Sequence, residues 1–389
     1  MSPAIPLANS DDKVSTVQVR SQHQKEDSHL QSLYEKGVKH LCNNGVKKVP
    51  RKYILPVSDR PDIGNGEPRY KQKSVKLPII DLAELRGPNR TDMLRSLANA
   101  CKQYGFFQLV NHGVPLEVTS NMIDVCKRFF ELPYETRAKY MSSDMSAPVR
   151  YGTSFNQNKD GVFCWRDFLK LMCNPLPEML PHWPSFPVDL RQLAEGYTNE
   201  TKNLFQQLME AILESLEIEA TIPNTMEEDD KAKEFQDGSQ LLISNCYPPC
   251  PEPDLTLGMP PHSDYGFLTL LLQDEVEGLQ IQFEGEWLSV KPIPNAFVVN
   301  VGDHLEIFSN GRYKSVLHRV ITNAERTRVT IASLHSLPFH CTIRPWPRLI
   351  NEDNPRRYKE TDFATFLKYI SSCEPKKKNF LESRKIHCN

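Results

Sequence analysis

Val316-Leu317-His318-Arg319-Val320-Ile321, then the polar break Thr322 to Thr327, then Arg328-Val329-Thr330-Ile331-Ala332-Ser333-Leu334: two short runs rich in β-branched residues, with a polar segment between them. Such runs read as strands, and the break reads as a hairpin turn that returns Arg328 on the strand beside His318. The same texture extends upstream through Leu241 to Tyr247, Phe267 to Leu272, Leu279 to Phe283 and Phe297 to Val301, with Pro, Gly and Asn between the runs. Short strands at this spacing argue for a sandwich or barrel and against a parallel α/β sheet. The expected fold is α+β, with a double-stranded β-helix of jelly-roll type as its core.

The chain before residue 231 reads differently. Leu77-Pro78-Ile79-Ile80-Asp81-Leu82 is a short strand, and Thr91 is placed to cap a helix whose apolar positions Leu94, Leu97, Ala98 and Cys101 recur until Gly105 stops it. Phe106 to Val110 reads as a second strand. Pro115 then opens a helix carrying Val118, Met122, Val125, Phe129 and Phe130 on one face, and Leu190 to Leu216 marks a third helix. Residues 1–30 are too polar to offset the entropy of ordering and are expected as a disordered tail. Residues 31–230 form a mainly helical module with a few strands, packed around a core over 231–345. Residues 346–389 supply a closing helix over Lys359 to Tyr369 and a frayed lysine-rich end.

The chain has 389 residues and a formal net charge of −2, which gives no reason to expect a nucleic acid or an anionic membrane as partner. A monomer acting on a small molecule is expected. Its ten cysteines form no C-x-x-C pair, and its first thirty residues lack the apolar core of a signal peptide. Both point to the reducing cytosol.

His262-Ser263-Asp264 places an imidazole and a carboxylate on one face of an extended segment, aimed into the barrel. His318 lies 54 residues beyond Asp264 within an apolar strand, where a buried ionisable group needs a partner. Two imidazoles and one carboxylate occupy three positions on one face of Fe(II) and leave three open. By itself the His-x-Asp triplet is a weak signal that more often marks an ordinary hydrogen-bonded pair. Arg328, ten residues after His318, changes the balance, because an inward arginine in an apolar run needs an anion and its planar fork suits a carboxylate. A structural salt bridge is the competing reading.

The pattern is completed by Gly105-Phe106-Phe107-Gln108-Leu109-Val110-Asn111-His112-Gly113, Trp165-Arg166-Asp167-Phe168, Asn245-Cys246-Tyr247-Pro248-Pro249-Cys250-Pro251, Pro260-Pro261-His262-Ser263-Asp264 and Asn300-Val301-Gly302-Asp303. From about Leu77 to Leu337 the chain resembles the plant-type 2-oxoglutarate- and Fe(II)-dependent dioxygenases of hormone, flavonoid and alkaloid metabolism. The resemblance implies that His262, Asp264 and His318 ligate iron and that Arg328 grips the distal carboxylate of 2-oxoglutarate, with Tyr247 and Asn245 orienting it. It further implies dioxygen as second co-substrate, ascorbate as reductant, release of succinate and CO2, and hydroxylation of a small substrate. His112 belongs to a turn in that family, and His304, His335 and His340 match no motif. The family usually has Arg-x-Ser where this chain has Arg328-Val329-Thr330, so Thr330 keeps the hydroxyl and adds a methyl. The substrate pocket is expected from Tyr151 and Phe155, from Phe163 and Phe168, and from Leu334, which suits a phenolic or flavonoid-like metabolite. An iron oxidase that uses no 2-oxoglutarate and a non-catalytic binding protein are the alternatives.

Overall fold

Thirteen strands follow one another through the described residues of the computed structural model, which are 36–61, 73–154, 160–218, 235–372 and 379–386. They are β1 Ser74–Val75, β2 Ile79–Asp81, β3 Phe106–Val110, β4 Val149–Gly152, β5 Asp167–Met172, β6 Ser239–Tyr247 and β7 Met259–His262. The remainder are β8 Leu268–Gln273, β9 Leu279–Phe283, β10 Glu286–Val290, β11 Phe297–Val301, β12 His318–Val320 and β13 Arg328–Ser336. An eight-stranded sheet runs β2-β3-β11-β8-β13-β6-β5-β4, and a five-stranded sheet runs β1-β10-β9-β12-β7. Successive strands such as β7 and β8 fall in different sheets, which is the jelly-roll winding expected. The tail over residues 1–30 lies outside the described residues.

That winding corrects one expectation. The segment after His318 is not a hairpin turn: β12 pairs with β7 and β9 in the smaller sheet, whereas β13 pairs with β6 and β8 in the larger one. Residues 321–327 therefore cross between sheets, and Arg328 faces His318 across the interior instead of lying beside it. Residue 230 also divides sequence texture more than architecture, because β2 to β5 all belong to the larger sheet. Neither β4 nor β5 was legible as a strand. Arg150, Asp167 and Lys170 interrupt their apolar pattern, yet all three are buried. β7 carries two prolines, which lack the N–H of an inner strand, and it sits at the sheet edge where they are tolerated.

Helix α1 (Val38–Asn43) precedes the sheets, and α2 (Arg90–Asn99) begins one residue before Thr91, with Asn89 at the cap position. Helices α3 (Leu116–Glu131) and α4 (Leu190–Ser215) pack on each other and on β13. Met122, Val125, Phe129 on α3 and Leu204, Leu208, Ile212 on α4 are buried, as the 3.6-residue period requires. α5 (Asp303–Phe308) follows β11. The closing helix α6 runs Phe363–Ser372, later than expected, because the backbone of Thr361 pairs with Ile343 and Asp362 takes the N–H of Thr365. Beyond it the chain does not simply fray: α7 (Phe380–Arg384) buries Phe380 and Leu381. No helix among the described residues is long and apolar enough to cross a membrane.

Gly105 ends the π turn Ala100–Tyr104 that continues α2, at φ 62 in the left-handed region, and a Cβ there would lie 2.2 Å from the Lys314 carbonyl oxygen. Gly105→Ala is expected to destabilise the protein by at least about 2 kcal/mol, since left-handed backbone alone costs about 1–2 kcal/mol for an L residue and the carbonyl cannot move aside cheaply. A thermal melt within 1–2 °C of wild type would contradict that reading.

Candidate active site

The two imidazoles meet because β7 ends and β12 begins at the same level. His262 and His318 are cross-strand partners, with ring centroids 4.1 Å apart. His262 Nδ1 lies 2.9 Å from the Pro260 carbonyl oxygen, and His318 Nδ1 lies 3.2 Å from that of Val316. A carbonyl can only accept, so each Nδ1 carries the proton and each Nε2 keeps its lone pair. Asp264, two residues past His262, brings Oδ1 to 3.8 Å from both Nε2 atoms. Its other oxygen, Oδ2, accepts from Thr269 Oγ1 at 2.6 Å and Asn300 Nδ2 at 2.9 Å.

Donor atoms of His262, Asp264 and His318 all lie within 4.8 Å of one another. Burial, and then the neighbouring His318, push the His262 imidazolium pKa well down, so the ring is neutral. Burial acts to raise the Asp264 carboxyl pKa, but the two imidazoles and the Thr269 and Asn300 hydrogen bonds outweigh it and hold the group ionised. Two imidazoles whose Nδ1 atoms are tied to carbonyls, so that each turns Nε2 inward, and a carboxylate that turns Oδ1 the same way form a donor set that fits Fe(II).

The Asn300 to Asp303 motif braces this set. Besides the Asn300 bond, the Asp303 backbone N–H donates to the Asp264 carbonyl at 2.7 Å. A Cβ on Gly302 would lie 2.2 Å from the Gly266 carbonyl oxygen, so only glycine permits the approach.

Across the interior, β13 and β6 run in register as Arg328↔Tyr247, Thr330↔Asn245, Ala332↔Ile243 and Leu334↔Leu241. The period of two turns all eight side chains toward one cavity of about 190 Å³. Arg328 is 2 % exposed, donates from Nε to the Val276 carbonyl at 3.0 Å and from Nη2 to Gln273 Oε1 at 2.9 Å, and stands 5.4 Å from the Tyr247 ring centroid. Its two hydrogen-bond acceptors are neutral, and Asp274 is the carboxylate near enough to act on its charge. Burial lowers its pKa, and Tyr247 and Asp274 act against that. Asn245 Nδ2 reaches Thr330 Oγ1 at 3.5 Å, and its Oδ1 accepts from Arg166 Nη1 at 3.0 Å.

Of the expected substrate-contacting residues, Phe168 and Leu334 line the cavity. Tyr151 and Phe163 do not. Strand parity turns Arg150 inward and Tyr151 outward, where its hydroxyl donates to Asp167 Oδ2 at 3.0 Å. Phe163 packs edge-on against Tyr53 at 5.6 Å in a separate apolar cluster. Phe155 lies outside the described residues. His112 bonds the Asn295 carbonyl, His304 bonds Ser336 and His335 bonds Ser333, all away from the cavity.

Sequence reasoning missed the supports Thr269, Asn300 and Gln273, and it missed three cations on the cavity wall, Arg150, Arg166 and Lys170. It also missed the apolar wall formed by Phe363, Phe366 and Leu367 of α6. The spacing Arg166, Phe168, Lys170 was the available signal, since residues two apart share a strand face.

Residues 238–336 match the family model of the 2OG-Fe(II) oxygenase superfamily, and residues 77–186 match that of the non-haem dioxygenase in morphine synthesis N-terminal region. The chain is 39% identical to Protein DMR6-LIKE OXYGENASE 2 of Arabidopsis thaliana over 83% of its own length and 90% of that protein. It is 37% identical to Flavanone 3-dioxygenase 2 of Oryza sativa subsp. japonica over 82% of its length and 89% of the relative. Its fold superposes on the crystal structure of JOX2 in complex with 2OG, Fe and JA with a TM-score of 0.78 at 32% identity, covering 90% of this chain and 98% of that one.

Proposed function

We propose that this chain, which belongs to the 2OG-Fe(II) oxygenase superfamily, hydroxylates a small phenolic or flavonoid-like specialised metabolite or hormone. One observation carries the site assignment: His262 Nε2, His318 Nε2 and Asp264 Oδ1 converge on one side of a cavity whose other side holds the buried Arg328. His262, Asp264 and His318 would hold Fe(II). When bound there with 2-oxoglutarate, the metal supplies dioxygen activation, and the co-substrate leaves as succinate and CO2.

The rest is the work of the chain's own side chains. Arg328, aimed by Gln273 and the Val276 carbonyl, presents its fork to the distal carboxylate, and Thr330 and Tyr247 complete that end. A Cβ on Gly278 would lie 2.9 Å from Arg328 Cδ, so glycine there lets the guanidinium lie flat. Leu271, Leu279, Met259 and Val320 exclude water from the opposite wall. Ascorbate is the accompanying reductant, and a cytosolic monomer is the expected form. The rival reading, an iron oxidase that uses no 2-oxoglutarate, leaves buried Arg328 without an anion. Succinate release that depends on 2-oxoglutarate, measured against a panel of plant phenolics, tests the assignment, and substrate oxidation without succinate would sink it.

Thr330 separates chemistry from shape. Serine keeps its hydroxyl and removes a methyl, whereas valine keeps the branch and removes the donor. Thr330→Ser is expected to bind 2-oxoglutarate as well as wild type or slightly better. Thr330→Val should weaken binding roughly two- to tenfold, the effect of about 0.5 to 1.5 kcal/mol for one hydrogen bond. The reverse order would make Thr330 a packing residue.

A further inference from the structure

β5 carries a second set of buried charges that the iron and co-substrate do not use. Arg166, just before the strand, and Phe168 and Lys170 within it line the cavity, while Leu169 and Leu171 point into the hydrophobic core. Arg150 on β4 is the cross-strand partner of Lys170. The three cations are between 5 % and 7 % exposed. Two of them flank one ring: the Arg166 and Arg150 guanidinium carbons lie 5.0 and 5.6 Å from the Phe168 centroid.

The hydrogen bonds of Lys170 and Arg166 go to neutral groups. Lys170 Nζ donates to the Met145 carbonyl at 2.9 Å, Arg150 Nε to the Ser142 carbonyl at 3.1 Å, and Arg166 Nη1 to Asn245 Oδ1 at 3.0 Å. Arg166 Nε is buried with no hydrogen-bond partner. Asp144 and Asp160 favour the charged form of Arg150, but neither lines the cavity. Burial, then Arg150, brings the Lys170 pKa down to about 8. Leaving a donor of a buried cation unsatisfied is costly, and a bound anion relieves it.

Charge balance points the same way. Asp264 is the one carboxylate among the described lining residues. With Fe(II), Asp264, Arg328 and dianionic 2-oxoglutarate in place, those charges cancel. Arg166 and Lys170 then keep the wall left for the organic substrate positive, beside Arg150, whose charge Asp144 and Asp160 offset in part from behind.

We propose that Arg166, Lys170 and Arg150 form an anion subsite, and that the substrate carries a carboxylate that docks there while its apolar body lies against Phe168, Leu334 and Phe366. This rests on the reading that iron and 2-oxoglutarate occupy the same cavity. It narrows the phenolic class above to organic acids. Arg166 also ties the subsite to the co-substrate end, through Asn245 and then Thr330.

The test uses the full chain with Fe(II) and 2-oxoglutarate under anaerobic conditions. Benzoate, phenylacetate and cinnamate are titrated calorimetrically beside their uncharged amides, and 2-oxoglutarate binding is measured separately. At least one carboxylate is expected to bind tenfold or more tighter than its amide, a preference that falls as chloride rises. Lys170→Met should cut that preference to about threefold or less while 2-oxoglutarate binding changes less than threefold, and Arg166→Gln should cut the preference as far. Equal binding of acids and amides by the wild-type protein, or no binding of any acid while 2-oxoglutarate binds normally, overturns the subsite. So does a loss of 2-oxoglutarate affinity in both variants as large as the loss for the acids, which would assign the cluster to the co-substrate. Failure of 2-oxoglutarate itself to bind the wild-type protein would overturn the underlying reading as well. The wild-type comparison needs no variant to fold, so it decides the question alone.

Discussion

His318→Ala is expected to bind iron more weakly by well over a hundredfold and to lose turnover, while the protein stays folded. Loss of an outer-sphere partner typically weakens a metal site by roughly 10- to 100-fold, and removing one of three direct donors must exceed that. Folding should survive because β12 keeps its backbone pairing with β7 and β9, and the space left by the ring is bounded by Phe106, whose centroid lies 5.4 Å away. The same reasoning covers His262→Ala and Asp264→Ala. Asp264→Ala adds a second loss, since Thr269 and Asn300 would be left aiming donors at an empty space. Iron content after dialysis, read beside a thermal melt, decides the matter. Full iron occupancy in any one of the three variants would remove that residue from the site.

Arg328→Lys is expected to raise the concentration of 2-oxoglutarate needed for half-saturation by roughly ten- to a hundredfold, with iron binding unchanged. A hydrogen bond to a charged group contributes about 1.5 to 3 kcal/mol, and a point ammonium cannot reproduce a paired guanidinium contact. Lysine would also forfeit the bonds to the Val276 carbonyl and Gln273 that aim the fork. Equal weakening of 2-oxoglutarate and of iron would show that Arg328 supports the fold of β13 instead of holding the co-substrate.

Legibility in the sequence followed strand environment. β9 and β11 matched their expected bounds residue for residue, because β9 alternates apolar residues with glutamine, β11 is apolar but for Asn300, and turn residues bound both. β4 and β5 escaped notice because one face of each is the polar wall of a cavity, and charges that face a cavity read in sequence as a solvated loop. β7 escaped because its prolines suit only an edge. Residue type, spacing and the family resemblance singled out His262, Asp264, His318 and Arg328 as candidates, and the fold brings all four to one cavity. Tyr151 was misplaced by one position of parity, which turns a side chain to the opposite face. Arg150, Arg166 and Lys170 could not be recognised as a group, since what unites them is the register of β4 on β5, a fact of pairing and not of composition.

The most direct test of the site is an anaerobic titration of the Fe(II)-loaded protein with 2-oxoglutarate, followed by visible absorption. A weak charge-transfer band is predicted to grow and saturate at one equivalent of 2-oxoglutarate, to require higher concentrations in Arg328→Lys, and to be absent in Asp264→Ala. Iron that binds wild-type protein yet yields no such band, or a band that Asp264→Ala leaves intact, would contradict the assignment of His262, Asp264, His318 and Arg328 to a shared iron and 2-oxoglutarate site.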